Sequence, residues 1–80
     1  MGLPPESIQI GRCYLSEEGR VRRVVAFRPA GWVQYRYRFA TSHKRGAWRS
    51  GRLSLQMFAA TVTREVPCDW TPEVREEPQS

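Results

Sequence analysis

Residues Trp32–Phe39 alternate strictly between two kinds of side chain. Val33, Tyr35, Tyr37 and Phe39 form one set, and Trp32, Gln34, Arg36 and Arg38 form the other. A period of two is that of a β-strand with one face buried. The first set predicts core. The second predicts a solvent face carrying an aromatic ring and two guanidiniums. Arg20–Arg28 reads as the preceding strand, since Val21, Val24, Val25 and Phe27 are β-formers and no helical period fits them. Its apolar positions fall on both faces, and a bulge near Arg23 reconciles the two sets. Pro29-Ala30-Gly31 between these strands is a turn signal. An earlier strand is expected over residues 8–15, where Ile8, Ile10 and Tyr14 share a face. It is followed by a turn at residues 16–19 that ends in glycine.

Beyond the third strand the rhythm changes. Residues 41–51 read as a polar, basic loop or splayed hairpin, with a short fourth strand expected near Trp48. Ser54 then caps a single helical turn in which Leu55 and Phe58 face inward at a spacing of three. A last strand is expected over residues 60–66, with Ala60, Val62, Arg64 and Val66 on one side, and Pro67 ends it. Residues 1–7, with Pro4 and Pro5, read as a flexible arm. Residues 8–68 read as one domain, and residues 69–80 as an acidic disordered tail from which Trp70 docks back. Eighty residues suffice for one small domain. The expected fold is mainly β: a small, strongly bent barrel of about five antiparallel strands, with one short helical turn before the last.

Two stretches carry a resemblance. Gly11-x-Cys13-Tyr14 followed by Glu18-Gly19-x-Val21-x-x-Val24-Val25 is similar to the opening hairpin of SH3-like small barrels such as the Tudor and KOW groups. Val33-x-Tyr35, Trp48 and Ser54-Leu55-x-Met57-Phe58 resemble a group of uncharacterised bacterial small-barrel domains. The likeness spans roughly residues 8–66. It implies a fold more than a function, because small barrels host unrelated functions.

Charge turns this fold into a partner signal. Between Gly19 and Arg64 lie ten positive side chains and no carboxylate. Residues 69–80 net −3, which leaves the other 68 residues at +8 within the total of +5. Such a stretch repels itself when compact, and a polyanion relieves the repulsion. Lys44 is the sole lysine. The rest are arginines, whose planar fork grips phosphate or carboxylate and stacks on aromatic faces. The expected contact residues are Arg22, Trp32, Arg36 and Arg38 on the strands, with Lys44, Arg45, Trp48, Arg49 and Arg52 in and after the basic loop. The arginines would position phosphates and the tryptophans would stack bases, with Trp48 open to either a core or a contact role.

The leading expectation is therefore a non-catalytic nucleic-acid-binding module of weak sequence preference, with DNA and RNA both open. The alternative is a protein–protein adaptor or inhibitor, of the kind found as small phage or plasmid accessory proteins. It would dock the same face on an acidic partner, since Arg, Trp and Tyr are also the residues of interface hot spots. Unpaired edge strands leave monomer and dimer both open.

Other classes find little support. No apolar run approaches the ~18 residues of a membrane span. The N-terminus lacks a basic segment followed by an apolar one, so a cytoplasmic location is expected. Cys13 and Cys68 lack metal spacing and read as ordinary thiols of a reducing compartment, although neighbouring first and last strands would bring them close. His43 stands alone, Glu17 and Glu18 form no acid–base pair, and no cofactor, metal or enzyme activity is expected. An aromatic cage for a methylated cation, built from Tyr14, Trp32, Tyr35, Tyr37 and Trp48, would lack its usual carboxylate.

Overall fold

The computed structural model describes residues 2–40 and 48–72. Its strands are β1 (Cys13–Ser16), β2 (Arg20–Arg28), β3 (Trp32–Phe39), β4 (Arg49–Ser54) and β5 (Val62–Val66), with one helix, α1 (Leu55–Ala60), before the last strand. All five are antiparallel in one sheet, in the order β4-β3-β2-β1-β5. The chain is thus mainly β, as its alternation predicts. Five antiparallel strands and a short helix before the last are as expected; among the described residues β4 and β5 do not pair, so the sheet is not closed into a barrel. α1 joins these two ends and rests against β3, β4 and β5. Ser54 starts the helix as its side-chain oxygen accepts a hydrogen bond from the Met57 N–H. No helix among the described residues is long and apolar enough to cross a membrane.

The first strand begins later than the apolar pattern suggests. Pro5–Ser7 forms a 3-10 turn, Ile8 is buried, and Gly11 takes a positive φ of 87°. The Tyr14 hydroxyl holds this segment down: it accepts from the Gln9 N–H at 2.9 Å and donates to the Ser7 carbonyl at 3.2 Å. The Leu3 N–H donates to the Ala59 carbonyl, so the N-terminal residues lie against α1.

Both faces of the sheet carry apolar clusters. One face holds Ile8, Tyr14, Val24, Val33, Tyr35, Phe58, Ala59 and Val62. There Phe58 meets Tyr14 and Tyr35 edge-on, with ring centroids 5.9 and 5.3 Å apart. The other face holds Cys13, Val21, Ala40 and Val66, with Trp48, Cys68 and Trp70 packed on them. Two irregularities divide the residues between these faces. The β2 bulge falls between Val24 and Ala26, at Val25, two residues beyond Arg23 where it was expected, and Val25 is left exposed. A second register shift, opposite Leu15 and Ser16, turns Val62 toward the first cluster and Val66 toward the second. Strict alternation would have put both valines on one side.

Cys13 and Cys68 form a disulfide rather than two thiols, with a Cα–Cα distance of 5.1 Å. The cause is topological. Cys13 pairs with Val66 across β1 and β5, and the chain folds back at Pro67, where the Trp70 N–H donates to the Pro67 carbonyl. The segment after β5 thereby lies over the second face, with Thr71 buried.

Candidate nucleic-acid interface

Register places the remaining basic residues. On the face opposite the first cluster, β2, β3 and β4 align side chains in rows: Arg23–Arg36–Ser50, then Ala26–Gln34–Arg52, then Arg28–Trp32–Ser54. Directly opposed residues of an antiparallel ladder share a face, so the three rows make one surface. Arg23, Arg28, Trp32, Arg36 and Arg52 are all exposed on it. The Arg52 guanidinium lies 5.8 Å from the Trp32 ring centre, which holds the ring in place by cation–π attraction. Among the described residues none of these four arginines forms an ion pair. Two of the described carboxylates pair elsewhere: Glu65 with Arg12 at 2.8 Å, and Glu18 with Arg20 at 3.3 Å.

Three of the expected contact residues, Trp32, Arg36 and Arg52, are therefore brought together. Others are not. Arg22 is only 6% exposed and sits over Tyr35 and Phe58, 5.3 and 5.4 Å from their ring centres, while donating to the Thr61 hydroxyl at 2.8 Å. Burial lowers its pKa from the ordinary guanidinium value. Arg38, expected on the solvent face, is 5% exposed. It does point to that face, but the returning C-terminal segment covers it. Its Nη2 donates to the carbonyls of Cys68 and Trp70, each at 2.8 Å, and its guanidinium stacks 5.3 Å from the Trp48 ring. Burial lowers its pKa as well, opposed by the Asp69 carboxylate. Both arginines are internal fasteners.

Trp48 is half-buried in the second cluster, which gives it a core role. Arg49 is exposed but pairs with Tyr37, so it lies on the opposite face from Arg36. Lys44 and Arg45 lie outside the described residues. Arg23 and Arg28 are the members that sequence reasoning missed, and the position of the β2 bulge, which decides their facing, is the signal that would have found them.

Around the β2–β3 turn from these rows, on the first-cluster side of the sheet, lies a cleft of about 310 Å³. Ile8, Phe27, Trp32 and Leu55 give it apolar walls, and Glu6 and Arg28 also line it. Ala30 and Gly31 turn the chain there with positive φ values of 67° and 80°. Ala30 bears a side chain in a conformation that favours glycine, a local strain of the kind found near binding sites. Tyr14 and Tyr35 are buried in the first core, so the aromatic side chains do not form a cage. Comparison with known families, curated proteins and solved structures finds no match for this chain.

Proposed function

We propose that this chain is a non-catalytic nucleic-acid-binding module whose contact surface is the β2–β3–β4 face. The observation that carries the reading is Arg23 opposite Arg36 with no carboxylate partner among the described residues. Like charges directly opposed across a ladder destabilise a sheet, and a bound phosphate backbone neutralises them. Arg28 and Arg52 extend the positive field, and Trp32 offers a ring beside it. Weak sequence preference is expected, because these are strand arginines on a broad surface rather than a helix fitted to a groove.

A cytoplasmic location is expected from the N-terminus alone, and the Cys13–Cys68 bond weighs against it, since persistent disulfides belong to oxidising compartments. The second reading is an adaptor that docks on an acidic protein. It is favoured by the exposed Phe27 and Trp32 beside Arg28, a combination typical of interface anchors.

Fluorescence anisotropy of labelled single-stranded DNA, duplex DNA and RNA, at low and near-physiological salt, tests the proposal. The expected result is binding that weakens by similar steps in Arg23→Ala, Arg36→Ala and Arg52→Ala. No binding to any of the three, or binding indifferent to these substitutions, would overturn it. Loss concentrated at Phe27 or Trp32 toward an acidic protein would favour the adaptor.

A further inference from the structure

Resting on the nucleic-acid reading, we infer that the Phe27–Trp32 cleft receives an unpaired nucleobase, so the ligand is single-stranded or carries an extruded base. The cleft lies on the first-cluster side, where Phe27 is opposite Val33 and Ile8 and Leu55 pack, and it meets the arginine rows only around the β2–β3 turn, where Arg28 and Trp32 belong to both. Their chemistry differs. The rows present guanidiniums on an open sheet surface. The cleft presents Ile8, Phe27, Leu55 and Trp32 together with the Glu6 carboxylate and the Arg28 guanidinium. A phosphate inside would set its charge against apolar walls and the Glu6 carboxylate, with Arg28 as the one opposite charge in the lining, whereas a base has a flat π-face for Phe27 and Trp32. A base with an exocyclic amino group also has donors for Glu6.

Size and exposure agree with this. A volume of about 310 Å³ lies at the lower end of ligand pockets, which run from roughly 300 to 1,000 Å³. Phe27 and Trp32 are 45% and 43% exposed, and Arg52 lies over one face of the Trp32 ring, so a base would stack on the other. Duplex DNA keeps its bases paired and stacked, and presenting one to a cleft costs a few kcal/mol of unstacking. The phosphates flanking an inserted base would then lie toward Arg28 and Arg52. The geometry thus sets polarity: base toward the turn, backbone over the sheet.

The test compares three labelled probes of equal length and charge number: a mixed-sequence single-stranded DNA, the same strand with abasic sites, and a strand of thymines only. The intact mixed strand should bind roughly 5- to 150-fold more tightly than the abasic strand, the range that one stacked base provides. Phe27→Ala and Trp32→Ala should bring the intact strand down to the abasic level and leave the abasic strand unchanged. The thymine strand should bind less tightly than the mixed one, and Glu6→Gln should narrow that gap. Equal affinity for intact and abasic strands would overturn the base site while leaving the phosphate-binding face standing. Equal losses on both strands in Phe27→Ala would likewise overturn it. Failure of every strand to bind would overturn both the inference and the reading it rests on.

Discussion

Arg23 on β2 and Arg36 on β3 face each other directly across the ladder, with Ser50 completing the row on β4. Selection for stability alone would put an opposite charge at one of these positions. Arg23→Glu creates that pair with Arg36, and cross-strand pairs are worth about 0.2–1 kcal/mol. Urea unfolding should therefore show the variant slightly more stable than the parent, while its affinity for single-stranded DNA falls. Opposite signs in the two measurements identify the pair as a binding feature. A drop in stability would mean that the arginines support the fold.

The same face sets a salt dependence. With Arg23, Arg28, Arg36 and Arg52 each neutralising one phosphate, log affinity for a single strand should fall with log salt at a slope of about −3. Removing one guanidinium should reduce that slope by about 0.7. Arg49→Ala should leave it unchanged, because Arg49 pairs with Tyr37 and faces the other way. Anisotropy titrations at several salt concentrations read both quantities.

Gly51 lies under the Tyr35 ring. A Cβ built there would come within 2.6 Å of the Tyr35 Cζ. Tyr35 is itself buried among Phe58, Val33 and the Arg22 guanidinium, so it has little room to yield. Gly51→Ala should destabilise the protein by about 1–3 kcal/mol, the usual cost of overpacking. Thermal denaturation checks this, and a loss below that range would mean that β4 slides at the edge of the sheet to accommodate the methyl group.

How much of this was legible depended on how local each signal was. The alternation of residues 32–39 and the Pro29-Ala30-Gly31 turn placed β2 and β3 with their observed bounds, and Ser54 marked the helix start. Facing was harder wherever a bulge intervened. One irregularity after Val24 decides that Arg23 joins Arg36, and another opposite Leu15 sends Val62 and Val66 to different clusters. Least legible was what covers the second face. Alternation correctly separated Arg38 from Val33 and Tyr35, but it carried no information about the segment that returns after Pro67 to bury it. The Cys13–Cys68 bond follows from the same return; neighbouring first and last strands bring the two cysteines close, but their spacing did not show that they bond.

The disulfide spans 55 residues of sequence. Closing a loop of that length removes denatured-state entropy worth about 4 kcal/mol in the chain-entropy picture. Replacing both cysteines with serine should lower the unfolding free energy by an amount of that order, measurable in guanidinium. No free cysteine remains among the described residues, so native protein should not react with a thiol reagent until reductant is added. Immediate reaction of two thiols would contradict the bond.

Arg38 fastens the same segment from beneath, since its guanidinium serves the Cys68 and Trp70 carbonyls together and stacks on Trp48. Arg38→Ala leaves both carbonyls without that donor and should cost about 1.5–3 kcal/mol, the range of a hydrogen bond to a charged group. Arg38→Lys should recover only part of this, because a single ammonium lacks the planar fork and the stacking surface. The salt slope of nucleic-acid binding should stay at its parental value in both variants, since Arg38 is covered and contributes no phosphate contact. A shallower slope in Arg38→Ala, at unchanged stability, would instead show that the C-terminal segment lifts away and gives Arg38 to the ligand.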